Sequence, residues 1–80
     1  MTDNFEPFIL RGGFITLDAL LKASGAASSG GDAKRLLLDG AVAVNGQPES
    51  RRGRKLRPGD RVACATHRLA IMAPPGEEGG

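Results

Sequence analysis

An α+β fold, two short packed helices followed by a small antiparallel β-sheet, is predicted by three features of this chain. Apolar residues recur at i, i+3 and i+4 in two successive segments, Leu17, Leu20, Leu21 and Ala33, Leu36, Leu37, and each segment ends on a glycine. An alternating Ala41-Val42-Ala43-Val44 run enters Asn45-Gly46, the strongest short hairpin signal. A Pro-Gly turn at Arg57-Pro58-Gly59-Asp60 then feeds a second alternating run.

The elements follow in order. Phe5 to Leu10 is a short apolar run broken by Pro7, which allows an edge strand or an extended arm and forbids a central strand. Gly12-Gly13 ends it. Thr16 is the expected N-cap of a helix from Leu17 to about Ser24, with Leu17, Leu20 and Leu21 on one face, Asp18 and Lys22 on the other, and Gly25 as the stop. Ser29-Gly30-Gly31-Asp32 resembles a capping box with Asp in place of Glu, and opens a second helix with Ala33, Leu36 and Leu37 inward and Gly40 at its end. Helices this short are marginal alone, so they must pack on each other and on the sheet. Gln47 to Ser50 returns antiparallel to Ala41–Val44. Arg61 to Ala65 forms a further strand with Val62 and Cys64 inward, and Leu69 and Ile71 continue the pattern into a last one. The expected core is Leu17, Leu20, Leu21, Ala33, Leu36, Leu37, Val42, Val44, Leu56, Val62 and Cys64. Residues 1–13 read as an arm or edge strand, 14–72 as the folded domain, and 73–80, rich in Pro, Gly and Glu, as a disordered tail.

Eighty residues make one domain with a modest core. One cysteine excludes an internal disulfide, and with a single histidine beside it no three- or four-ligand zinc site of Cys and His can be assembled. Cys64 is expected to be a reduced small hydrophobe. No cofactor is expected. No apolar run approaches the roughly 18 residues that a membrane helix needs, and the N-terminus carries acids where a signal peptide needs cations, so the expected location is cytoplasmic.

The strongest functional signal is charge. Five of the seven residues from Arg51 to Arg57 are cationic, and four of those five are Arg. Most charge runs are solvated loops, but guanidinium presents a planar fork that matches phosphate oxygens, where Lys suffices for solubility. Asp3, Glu6, Glu77 and Glu78 sit near the ends, which leaves five acids against all eleven Lys and Arg between residues 11 and 68, a formal +6 against +2 for the whole chain. A basic domain of this kind points to a polyanion, and nucleic acid leads.

The order helix, Ser-Gly-Gly-Asp-Ala-Lys helix, Gly40-Ala-Val42-Ala-Val44-Asn45-Gly46 hairpin, basic loop and Arg-Pro-Gly-Asp-Arg-Val strand resembles the S-four domain, the RNA-binding module named after the fourth protein of the small ribosomal subunit. The likeness covers residues 14 to 72. It is closer still to the stand-alone bacterial S-four-like proteins described as ribosome-associated, which share Leu20-Leu21-Lys22, Ser29-Gly30 with Ala33-Lys34, and a Glu before basic residues, here Glu49, Arg51 and Arg52. The resemblance implies an αL RNA-binding motif, a structured RNA partner such as ribosomal RNA or ribosomal particles, and a role in ribosome association or assembly.

Residue by residue, the resemblance implies an RNA surface of Lys22, Lys34 and Arg35 on one side with Arg51, Arg52, Arg54 and Lys55. Many S-four domains place Arg directly after the N-cap Ser of the second helix. Here that position is Gly30, so that phosphate contact does not carry over. Ser29, Gly30 and Gly31 either offer backbone N–H groups to a phosphate or serve only the tight interhelix turn.

With no Trp or Tyr, and with Phe5, Phe8 and Phe14 all before the basic run, a platform that stacks unpaired bases is not expected. Recognition is expected to rest on phosphates, 2′-hydroxyls and RNA shape. Arg61 and Arg68 read equally well as solvated residues. No enzyme, small-molecule substrate or membrane partner is expected, and the chain is expected to be monomeric. If the segment from Cys64 to His67 is one strand, the odd spacing of the two residues places them on opposite faces, which argues against a thiolate–imidazole pair. The alternative from another class is a sulfur carrier or ubiquitin-like modifier that uses Gly79-Gly80. Such carriers open with a hairpin and one long helix. A duplex-DNA binder is disfavoured because no helix carries recognition chemistry for base edges.

Overall fold

The computed structural model describes residues 4–64 and 67–75, and the chain folds as β1(Glu6–Ile9), β2(Ile15–Thr16), α1(Leu17–Ala23), α2(Gly30–Leu38), β3(Ala43–Val44), β4(Gln47–Pro48), β5(Lys55–Leu56), β6(Arg61–Ala63) and β7(Arg68–Met72). The expected α+β order of two helices, hairpin, loop and strands is present. One feature of the sheet differs from expectation. The main sheet runs β1-β7-β6-β3-β4, and its β1–β7 pair is parallel while the others are antiparallel, so the sheet is mixed. A parallel neighbour needs a long crossover, and here nearly the whole domain lies between β1 and β7 to supply it. Pro7 sits on β1 at the sheet edge, where its missing N–H costs no ladder bond.

A second, two-stranded sheet pairs β2 with β5, Ile15 opposite Leu56 and Thr16 opposite Lys55. It ties the start of α1 to the end of the basic segment.

Both helices stop where the sequence places glycine, and Gly25 and Gly40 take φ of 86° and 73°, a left-handed conformation that other residues adopt at a cost. Asn45 and Gly46 both have positive φ, 52° and 83°, as a type I′ hairpin turn requires. Pairing continues past the short β3–β4 ladder through the Glu49 N–H, which donates to the Val42 carbonyl oxygen at 3.1 Å. The Arg57–Asp60 turn closes with the Asp60 N–H donating to the Arg57 carbonyl at 3.0 Å, and Gly59 holds φ of 102°.

Two turns far apart in the chain brace each other. The Asn45 side chain donates to Asp60 Oδ1 at 3.0 Å and accepts from the Arg61 N–H at 2.9 Å. Asp60 Oδ2 also accepts from the Arg57 N–H at 2.9 Å. Burial pulls the Asp60 carboxyl upward, but these donors and the charges of Arg54 and Arg57 outweigh it, so Asp60 lies below its ordinary value.

Leu17, Leu20, Leu21, Ala33, Leu37, Val42, Val44, Leu56 and Val62 are buried as the periodicity predicts. Leu36 and Cys64 are half-buried at the margin of the same cluster, which the expected core list did not distinguish. Leu10, Ala27, Leu69 and Ile71 complete the core from both chain-end strands and the interhelix turn. β6 ends at Ala63 and β7 begins at Arg68, so neither Cys64 nor His67 lies in a strand, and the Cys64 N–H donates to the His67 carbonyl at 2.8 Å. The single-strand reading of these two residues therefore does not apply. The expected tail falls largely on residues 76–80, outside the described residues, as does Gly79-Gly80. No helix among the described residues is long and apolar enough to cross a membrane.

Candidate nucleic-acid interface

The basic segment is a loop with fixed anchors at both levels, backbone and side chain. Its Arg54 carbonyl accepts the Leu17 N–H at 2.8 Å, and its Arg52 carbonyl accepts the Asp18 N–H at 3.1 Å. These are the first N–H groups of α1, donors that a helix cannot satisfy internally. Thr16 stands at the N-cap in extended conformation but makes no side-chain cap bond, contrary to the expected role. Its hydroxyl donates instead to Asp18 Oδ1 at 2.8 Å, and the same oxygen accepts from the Ala19 N–H at 2.9 Å. The Thr16 hydroxyl, and with it the Ala19 N–H and the charges of Lys22 and Arg52, hold the Asp18 carboxyl low against the opposing pull of burial. The charges of Lys22 on the helix and of Arg52 on the loop both act on Asp18.

Glu49 fixes the loop from within. Its carboxylate accepts Arg51 Nε at 3.2 Å and Arg51 Nη2 at 3.1 Å, a two-point fork. Arg54 Nη1 donates to the same carboxylate at 2.9 Å, and so do the Ser50 and Arg51 N–H groups at 3.2 and 3.3 Å. The Glu49 side chain is 9% exposed, against 74% for Arg51 and 31% for Arg54. The carboxylate is thus shielded beneath two guanidinium groups, one of which faces solvent. Side-chain bonds from Arg51 and then Arg54 hold the Glu49 pKa down at about 2. The cluster of one carboxylate and two guanidinium groups keeps a net positive charge.

Arg52 and Lys55 complete the exposed loop, and Arg57 follows it. Lys55 Nζ lies 5.0 Å from the centroid of the Phe14 ring and Arg57 Cζ lies 6.0 Å from it. Phe14 precedes the basic run along the chain, but the β2–β5 pairing carries it to the loop in space. The expectation that aromatics stand apart from the basic region holds for the sequence and not for the fold. Arg61 covers another aromatic, Phe5, at 5.3 Å.

The other candidates lie on α2. Ser29, Gly30, Gly31, Lys34 and Arg35 are all exposed. Ser29 Oγ accepts the Asp32 N–H at 3.1 Å as the capping-box reading requires. The return contact is displaced by one residue: Asp32 Oδ2 accepts the Ser28 N–H at 2.9 Å and the Ser28 hydroxyl at 3.3 Å. The start of α2 therefore carries its own carboxylate. Hydrogen bonds tie the backbone of Arg52 and Arg54 to α1 and join the Arg51 and Arg54 side chains through Glu49, while α2 packs on α1. Glu49 was visible in the sequence only as a Glu preceding basic residues, and Phe14 only as an aromatic beside a Gly-Gly turn.

Comparison with known proteins agrees with this arrangement. The model of the S4 domain family matches residues 8–72. A Bacillus subtilis (strain 168) protein named Probable ribosome maturation protein RlbA is 50% identical over 48 residues, which span 60% of this chain and 68% of that protein. The solution structure of YbcJ from E. coli, described as revealing an αL motif involved in RNA binding, superposes with a TM-score of 0.66 at 32% identity, covering 91% of this chain and 94% of YbcJ. On the family match over most of its length, and on two helices packed against a hairpin and a braced basic loop, the chain belongs to the S4 domain family.

Proposed function

We propose that this protein binds structured RNA, ribosomal RNA in a ribosomal particle, and acts without catalysis in ribosome association or assembly. The observation that carries the reading is the basic loop itself, whose Arg51 and Arg54 side chains are bonded to Glu49 and whose backbone at Arg52 and Arg54 is bonded to the first turn of α1. Preorganised guanidinium groups lose less freedom on meeting phosphates, so more of the contact energy remains as affinity. Arg51, Arg52, Arg54 and Lys55 are the primary phosphate contacts in this reading, with Lys22 beside them. Lys34 and Arg35, and the exposed start of α2 at Ser29, Gly30 and Gly31, extend the surface along α2. The protein acts as a monomer. The names of the B. subtilis and E. coli relatives support the partner class.

Co-sedimentation with separated ribosomal subunits, followed by crosslink mapping of the RNA, tests the proposal. The expected result is salt-sensitive association with a subunit or its precursor and crosslinks from residues 51–55 to a structured segment of ribosomal RNA. Recovery of the protein only in the free fraction at low salt contradicts it.

A further inference from the structure

We propose that Phe14, with Lys55 and Arg57, forms a stacking site for one unpaired nucleobase, a base-reading element on a surface otherwise built for phosphates. The inference rests on the RNA-binding reading above. Phe14 is 44% exposed, although a phenyl ring gains most from burial. Phe8 packs against the core and Phe5 is half-buried beside Arg61, so among the three aromatics Phe14 is the one that combines an exposed ring with the basic loop. The register explains its place. Ile15 pairs with Leu56, which brings the residue before Ile15 alongside Arg57 and next to Lys55.

Two further observations point to a planar, anionic-backbone ligand. The ring forms part of a recess of about 320 Å³ whose other walls are Phe8, Leu10, Arg11, Gly12, Ile15 and Ala23, a mostly apolar slot, while Lys55 and Arg57 stand over the ring without lining the recess. Gly12 and Gly13, immediately before Phe14, carry no side chain, and a Cβ at either would meet no atom within 4 Å beyond its chain neighbours, so the backbone that leads to the ring is uncrowded. A nucleotide unites the two chemistries that meet here: a π-face for the ring and a phosphate for Lys55 and Arg57. A fully paired helix presents phosphates but no free base face, so the site selects a bulged or looped nucleotide.

The test compares two RNA duplexes that carry the same phosphates, one with a single bulged adenosine and one with an abasic residue at the bulge. Wild-type protein is expected to prefer the adenosine bulge by about 5- to 150-fold, the range that base–aromatic stacking gives. Phe14→Leu keeps an apolar side chain and is expected to bind both RNAs equally, with an unchanged salt slope. Phe14→Trp restores the preference, and as the chain has no other Trp its fluorescence is quenched by the adenosine RNA and not by the abasic one. Equal binding of both RNAs by wild type, or a preference that survives in Phe14→Leu, overturns the stacking site and leaves phosphate binding intact. Failure of wild type to bind either RNA at low salt overturns the RNA-binding reading and the stacking site with it.

Discussion

The two helices begin in opposite ways. At α1 the free N–H groups of Leu17 and Asp18 are taken by carbonyl oxygens of the basic loop, so the helix start is closed by a segment distant in the chain. At α2 the start is satisfied locally, by Ser29 Oγ on the Asp32 N–H and by the Asp32 carboxylate on Ser28. Both begin with a hydroxyl residue followed shortly by Asp, so their local signals are nearly the same. The difference teaches that a helix start is also a docking point. Where a loop supplies the acceptors, the helix becomes the foundation for whatever side chains that loop displays; here they are Arg51, Arg52 and Arg54. The α2 start keeps exposed glycines, but its own carboxylate stands there and opposes an incoming phosphate.

The largest effect is expected where the anchored region meets the core. Leu56 follows the basic loop, pairs with Ile15 and is fully buried. Leu56→Ala is expected to cost about 2–5 kcal/mol, enough in a domain this small to unfold a large fraction of it, as measured by urea denaturation. A loss below about 1 kcal/mol would mean that the loop is not seated on the core.

Glu49→Gln separates the loop's geometry from its charge. Gln cannot neutralise two guanidinium groups, so the Ser50 and Arg51 amides are expected to exchange faster with solvent. The salt slope of RNA binding is expected to steepen by up to about one unit, because one cation is released. An unchanged exchange pattern would show that Glu49 does not hold the loop.

The α2 side is expected to contribute less. Lys34→Ala should flatten the salt slope by about one unit, measured by the same titration. A larger change from Lys34 than from the whole arginine set would reverse the ranking of the two regions.

The smallest effect is a pH signature. The Glu49 carboxyl is depressed from 4.5 to about 2, so its contribution to the folded loop is complete above the unfolded value, declines as pH falls below it and is gone once pH has passed through about 2. Carbon-detected titration of the Glu49 carboxyl should give a midpoint near 2 in the folded protein; a midpoint in the ordinary Glu range would place the arginines elsewhere.

How much of this was legible in the sequence follows the range of the interactions. Features written within a few residues were readable: the leucine stripes, the glycine stops, Asn45-Gly46 and Pro58-Gly59 each determine local backbone by sterics or pattern. The parallel pairing of β1 with β7 was not, because it joins opposite ends of the domain and neither strand encodes its partner. The same holds for Thr16, whose cap role is taken over by the Arg52 carbonyl on the Asp18 N–H and by the Asp18 carboxylate on the Ala19 N–H. Phe14 reaches Lys55 only through a two-residue ladder too short to carry a pattern. The candidate cations were legible as a run, while the carboxylate that orders Arg51 and Arg54 depends on the loop folding back on itself.

The central claim is that the anchored loop supplies most of the phosphate contacts, and the salt dependence of RNA affinity tests it most directly. With about five phosphates neutralised, log K against log salt is expected to have a slope of roughly −3.5 to −4.5, from about 0.7 to 0.9 per phosphate. Replacing Arg51, Arg52 and Arg54 together by Ala is expected to flatten it by about two to three units while circular dichroism stays native. A wild-type slope near zero, or a triple variant that binds structured RNA as tightly as wild type, would contradict the account.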